Sequence, residues 1–356
     1  MEQSLQKAVR LTSKHLTLPV LSCVYLESSD NKLTIKSTNL DIGAEFEIKV
    51  KTLEPGSAAV PANVLLNLLS SVRENNLIFE IKDSNLKVSS GKNSVVIKCM
   101  PSEDFPSIPK LNNLKSVKIN SKELTLGFKS VWYSASNSNI KPELSSVYIY
   151  KMDSSLVFVS TDSFRLAEKR INTKMSEDFP HTLIPFKNVS EIIKFFEDYN
   201  GDIDIIFEKN QAAFITPGVY LVSRLIDGSF PDYNQIIPKN FTTTAVILKN
   251  DLINSIKTSN IFSDSFNQLK IKVDVKGKSV NLESKNNDVG ESNESINASI
   301  SGENIELSFN SKYIMDSMQS IQGDSLTFNF GGAGKPLMIT GSSDKSFLYI
   351  VMPMNR

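Results

Sequence analysis

Gly331-Gly332-Ala333-Gly334-Lys335 is the run that most resembles a phosphate cradle, and two of the parts such a loop needs are missing. A phosphate loop carries a glycine five places before its last one, and Asn329 stands there; it carries Ser or Thr after the lysine, and Pro336 follows. A glycine-rich hairpin turn is the expected structure. The two histidines, His15 and His181, share no zinc-ligand spacing with Cys23 and Cys99, and neither completes a Ser-His-Asp set with a recognisable elbow. Asp162 and Ser163 adjoin, but without a base they make no hydrolase. The acid pairs Glu103-Asp104 and Glu177-Asp178 precede Phe105-Pro106 and Phe179-Pro180, as solvated loop charge does. No catalytic constellation, metal set or cofactor loop results, so a binding or scaffold protein is expected.

Cations are the residues left that could act together. Lys7, Arg10 and Lys14 fall at helical spacing on one face. Lys122 with Lys129, Lys187 with Lys194, and Lys249 with Lys257 lie seven or eight apart, again one face each. Acids such as Glu191, Glu197 and Asp198 share these stretches, so the bias is modest. Over the chain, Lys+Arg 39 balances Asp+Glu 39, which argues against a tight, whole-surface nucleic-acid binder but permits one basic face. No apolar run reaches the ~20 residues of a membrane span, and no signal peptide follows Met1, so a cytoplasmic protein with reduced cysteines is expected.

The elements that would position those cations repeat. Phe105-Pro106 and Phe230-Pro231 stand 125 positions apart; so do Val64, Val189 and Ile314, and Leu68, Ile193 and Met318. A unit this long is a domain, not a solenoid turn. Within each unit the plan is a helix followed by strands, twice over. Leu21-Ser22-Cys23-Val24-Tyr25-Leu26 matches Leu144-Ser145-Ser146-Val147-Tyr148-Ile149, with Phe266 to Ile271 a fainter third copy. Asp30-Asn31 and Asp153-Ser154 separate paired strands as hairpin turns. Pro61, Pro185 and Asn310 open the second helices. About six helices and more strands give an α+β chain of three similar domains, 1–112, 113–239 and 240–356, each with two helices packed on antiparallel sheets.

The chain ends on Val351-Met352-Pro353-Met354-Asn355-Arg356. Two readings stand level: an adaptable apolar surface, or a strand end packed into the third domain.

Thr17-Leu18-Pro19-Val20-Leu21, Thr161-Asp162-Ser163-Phe164-Arg165-Leu166-Ala167, Asp227-Gly228-Ser229-Phe230-Pro231-Asp232-Tyr233 and Met352-Pro353-Met354 resemble the bacterial sliding clamps, the beta subunit of DNA polymerase III, in order along essentially the whole chain. The resemblance implies a clamp fold closed as a head-to-tail homodimer, a six-domain ring that slides on double-stranded DNA without reading its sequence. It implies a processivity factor that tethers the replicative polymerase and catalyses nothing. The other class that fits is a protein–protein adaptor of this fold that does not load on DNA; charge reversal across the helix faces would mark it, and is absent. Two departures stand out. The family's first strand is missing before the first helix, so either the start is truncated or the first domain's sheet lacks an edge strand. Ser163 and Asn355 replace the family's glycine and arginine.

By the same resemblance, the DNA-facing set is Lys7, Arg10, Lys14, Arg73, Lys122, Lys129, Lys141, Lys187, Lys194, Lys249, Lys257 and Lys312. The dimer interface is Lys92, Val95, Ile97 and Lys98 against Ile261, Phe262, Asp288, Glu291 and Glu294. An apolar cleft for short linear peptides of polymerases, the clamp loader and repair proteins is formed by Leu144, Thr161, Phe164, Arg165, Leu166, Pro231, Ile236, Phe266, Asn310, Tyr313, Pro336, Ile350, Met352, Pro353 and Met354. Arg165, Asn310 and the terminal backbone are expected to orient the peptide.

Overall fold

The computed structural model describes residues 1–72, 76–112, 115–138, 140–173 and 179–354. The first repeat runs α1 (Glu2–Arg10), β1 (Cys23–Ser29), β2 (Lys32–Thr38), β3 (Ile42–Lys49), β4 (Gly56–Pro61), α2 (Ala62–Ser71), β5 (Ile78–Lys82), β6 (Asn85–Ser90) and β7 (Asn93–Lys98). The second runs β8 (Ser116–Asn120), α3 (Ser121–Val131), β9 (Ser146–Met152), β10 (Ser155–Thr161), β11 (Arg165–Asn172), β12 (Thr182–Pro185), α4 (Phe186–Phe196), β13 (Asp202–Glu208), β14 (Gln211–Thr216) and β15 (Val219–Arg224). The third runs β16 (Thr243–Leu248), α5 (Lys249–Ile261), β17 (Gln268–Asp274), β18 (Ser279–Asn286), β19 (Gly290–Gly302), β20 (Ile305–Asn310), α6 (Ser311–Ser317), β21 (Ser325–Phe330), β22 (Leu337–Gly341) and β23 (Phe347–Val351). No helix among the described residues is long and apolar enough to cross a membrane.

The described residues form two compact units, which divide the middle repeat between them: one from 1–122 and 187–227, the other from 123–173, 179–186 and 228–354. The sheets explain the division, because strands pair across the repeat boundaries. In the first unit an eight-stranded sheet has the order β4-β1-β2-β3-β15-β14-β13-β8, beside a separate sheet β5-β6-β7. In the second a twelve-stranded sheet runs β12-β9-β10-β11-β23-β22-β21-β16-β19-β18-β17-β20. Every described pairing is antiparallel.

Local chemistry sets these elements. Asp30 and Asn31 both adopt positive φ (49° and 59°), which a primed hairpin turn requires. Asn310 caps α6, its side chain accepting from Lys312 N and Tyr313 N. Leu5 and Ala8 of α1 are fully buried, and α1 packs on α2; a fully buried leucine contributes roughly 1.5–3 kcal/mol. Gly127 inside α3 costs helix propensity, but a Cβ there would lie 2.3 Å from the Phe158 ring, so the glycine lets strand and helix close up.

One expectation changes here. The helix carrying Lys7 and Arg10 stops at Arg10, where Leu11 caps it, so Lys14 lies beyond it and does not extend its face. The reason is local: Ser13 N bonds Leu21 O, which leads the chain out of the helix. In α3, Leu126 is 40% exposed, while Leu124 and Phe128 are buried.

Candidate functional site

The turn from β10 into β11 builds the centre of the predicted cleft. Asp162 Oδ1 accepts from Phe164 N and Arg165 N at 3.0 Å each, and Thr161 Oγ1 donates to Arg165 O at 2.6 Å. These bonds fold the turn tightly enough to drive Ser163 to φ +79°, a left-handed conformation that glycine adopts freely and serine at a cost of about 1 kcal/mol. The turn lifts Phe164 outward, 62% exposed, and swings Arg165 inward, 9% exposed.

Arg165 is fully engaged. Nε donates to Asp162 Oδ2 at 2.9 Å, Nη1 to Asp316 Oδ2 at 2.6 Å and Nη2 to Tyr133 O at 2.7 Å, while its plane lies 4.4 Å from the Tyr313 ring centre. Burial opposes the guanidinium charge, but the surrounding Tyr349, Asp316 and Asp162 outweigh it and hold the pKa above its ordinary value. Burial likewise pushes Tyr349, Tyr133 and Tyr313 upward, so these phenols stay neutral. Arg165 therefore ties β11 to α6. Asn310 is engaged within the chain as well: its oxygen caps α6 and its Nδ2 donates to Phe266 O at 3.2 Å.

The chain end joins this turn. β23 pairs with β11, Ile350 opposite Leu166 and Val351 opposite Arg165. Met352 N then donates to Phe164 O, and Met354 N to Ser308 O, at 2.8 Å each. Both readings of the tail are thus partly right: the backbone is pinned, yet Met352 is 38% exposed. Thr161, Leu166, Ile350 and Leu144 are buried and lie beneath the surface rather than on it. Phe164, Phe266, Ile236 and Met352 are the exposed apolar members; Pro231 is exposed, and Tyr313, Pro336, Pro353 and Met354 are half-buried. Asn355 falls outside the described residues, as do Glu177 and Asp178. Sequence reasoning missed Tyr133, Asp316 and Tyr349, the partners of Arg165; Asp316 lies 151 positions away, and no local pattern marks it.

All three parts of the chain match descriptions of one family, the DNA polymerase III beta subunit: its N-terminal domain over residues 1–109, central domain over 118–232 and C-terminal domain over 234–355. The chain belongs to the bacterial sliding-clamp family. It is 24% identical to a beta sliding clamp of Staphylococcus epidermidis over 98% of this chain and 96% of that one, and 26% identical to one of Streptococcus pneumoniae over 99% and 96%. Crystal structures of the Bacillus subtilis sliding clamp (23% identity) and the Streptococcus pneumoniae DNA polymerase III beta chain (26%) each superpose with a TM-score of 0.93, covering 100% of this chain and 97% of theirs.

The cations of this clamp chain are not equivalent. Lys7 Nζ donates to Phe195 O at 2.6 Å, Arg10 pairs with Glu191 at 2.9 Å, Lys194 shares that carboxylate at 3.1 Å, and Lys249 Nζ bonds Ile321 O at 2.7 Å. These four are partly spent on structure. Lys14, Lys122, Lys129, Lys141, Lys187, Lys257 and Lys312 are exposed, and Arg73 lies outside the described residues.

The residues expected at the interface divide likewise. Lys92, Val95 and Lys98 are exposed on or beside β7, and Val96, which was not anticipated, is 58% exposed. Ile97 is 4% exposed: strand alternation turns its side chain into the β5-β6-β7 core and leaves its backbone on the strand edge. In the second unit, Ile261 is 66% exposed, and Phe262 lies 3.5 Å from where a Gly290 Cβ would stand, at the head of β19. Asp288 and Glu291 are exposed and Glu294 half-buried.

Proposed function

We propose that two copies of this chain close head to tail into a ring around duplex DNA and tether a replicative polymerase to its template. The observation that carries this reading is a seam that occurs twice within the chain. β3 pairs with β15, Ile42 opposite Ser223 through Phe46 opposite Val219. β11 pairs with β23 in the same way. β19 holds the place of β3 and β11 in its repeat, and β7 the place of β15 and β23. Transferred by hairpin register, the first seam sets Ile97 opposite Gly290 and Asn93 opposite Glu294 of a second copy. Such a heterologous contact generates a closed ring when its rotation closes. Lys92 and Lys98 on one side and Asp288, Glu291 and Glu294 on the other then orient the two chains.

The exposed lysines would meet phosphates without reading bases. Few phosphates are held firmly, so the ring slides and topology retains it. The protein acts in the cytoplasm and catalyses nothing itself. Partners enter through Phe164, Ile236, Phe266 and Met352, where polymerases, the clamp loader and repair proteins would bury a short linear peptide. Binding is expected to be weak, because the peptide is ordered on docking. Removal of residues 352–356 takes away one exposed apolar side chain and the backbone bonds at Met352 and Met354. That variant is expected to lose a Gln-x-Leu-x-Leu-Phe peptide and polymerase stimulation while remaining dimeric. Undiminished peptide binding would remove the cleft from the account.

A further inference from the structure

The first and second repeats carry the same loop against the same sheet face, and fill it differently. Tyr25 corresponds to Tyr148, Glu45 to Glu168, Phe105-Pro106 to Phe230-Pro231, and Ile108 to Tyr233. In the second repeat Tyr148 stacks on Phe230 with ring centres 4.9 Å apart. Tyr233 then lies 5% exposed over Val159, Leu166 and Ile350. Its hydroxyl donates to Glu168 Oε2 at 2.6 Å and meets Tyr150 Oη at 2.8 Å. Burial and the carboxylate both push the Tyr233 phenol upward, so it stays a donor.

In the first repeat the frame is kept and the plug is absent. Tyr25 stacks on Phe105 at 5.3 Å. Ile108 takes the place of Tyr233, within 3.4 Å of where a Gly43 Cβ would lie and packed with Val222. It carries no ring or hydroxyl to reach the carboxylate. A cavity of about 310 Å³ opens there, lined by Tyr25, Lys36, Glu45, Phe105, Ile108 and Lys110. That is the lower end of the roughly 300–1,000 Å³ range of small-molecule pockets, room for one side chain. Glu45 Oε2 accepts from Lys110 Nζ at 2.6 Å, Lys36 feels the same carboxylate, and Oε1 accepts no hydrogen bond among the described residues.

We propose that this cavity is a second partner site, distinct from the cleft at the chain end, and that it takes a tyrosine side chain from a partner protein. The occupant follows from the sister repeat, where the protein's own tyrosine fills the same frame. A phenol can donate to Glu45 Oε1 while its ring lies against Tyr25, Phe105 and the Lys36 stem. Phenylalanine would cover Glu45 without supplying a donor. A cationic side chain would meet Lys36 and Lys110, and a carboxylate would meet Glu45.

The test is a titration of the full chain with N-acetyl-tyrosinamide, read at the isotope-labelled Ile108 methyl groups by NMR, with N-acetyl-phenylalaninamide as control. Saturable shifts are expected, with the tyrosine probe binding about tenfold tighter, the worth of one hydrogen bond to a charged acceptor. Glu45→Gln is expected to shrink that preference while leaving the fold intact. Ile108→Tyr should plug the cavity from within, abolishing the Ile-site binding as read by a labelled Tyr25 ring and raising Tm. Equal affinity for the two probes, no shift at Ile108, or a plugged variant that still binds the probe would each overturn the proposal.

Discussion

Two pairs of strands hold equivalent places in this chain and have opposite surroundings. β11 and β23 are paired, and of β23 only Leu348 among its five residues is not buried. β7 and the head of β19 each have a neighbour on one side, β6 and β18, and no described partner on the other. Accordingly β7 buries only Ile97 of its six residues and leaves Val95 46% and Val96 58% exposed. An open edge with apolar side chains invites another strand. The comparison teaches that this chain carries two copies of a joint it can complete alone and one half-joint at each of two further strands.

The β5 edge is a third case. β13 is flanked by β8 and β21 by β16, and their inward residues Ile203, Ile205, Leu326 and Phe328 are 0–1% exposed. β5 has only β6, and the matching Leu77 and Phe79 are half-buried. β5 is thus an edge of a three-stranded sheet among the described residues. Ile78 and Ile81 stand 64% and 47% exposed on it.

The largest effect is expected where the half-joint has its apolar anchor. Replacing Ile261 and Phe262 together by Ala should raise the dimer dissociation constant roughly a hundredfold or more, as loss of two interface anchors does. Sedimentation equilibrium would read this, with the monomer still folded; a variant that stays dimeric at low micromolar concentration would break the comparison. The smallest effect is expected at β5, the open edge assigned no role in closure. Ile78→Lys should leave the dimer intact and change stability by no more than about 0.5 kcal/mol, measured by urea denaturation. A dimer weakened by that change would mean that β5, not β7, faces the second copy.

Much of this architecture was legible in the sequence because local rules specify it. Asp30-Asn31 forces its hairpin, Asn310 its helix cap, and the recurring Phe-Pro its repeat. What was not legible depends on partners distant in the chain. Alternation identifies β7 as a strand but not which of Val96 and Ile97 faces inward, because that phase is set by the pairing with β6. The three acceptors that hold Arg165, two of them far away in sequence, leave no local mark. Lys7 and Lys249 read as free cations, and each is held by a backbone carbonyl more than seventy positions away. The Ile108-for-Tyr233 exchange was visible as two letters, but its consequence, an open acceptor on Glu45, required the fold.

The central claim is enclosure of DNA, and linearisation tests it most directly. The chain would be loaded on nicked circular duplex and its residence followed before and after a single restriction cut, at fixed salt. Long residence on the circle, tolerant of salt, followed by loss from the free ends once the circle is opened, is the predicted result. Equal dissociation from circular and linear DNA would contradict the ring.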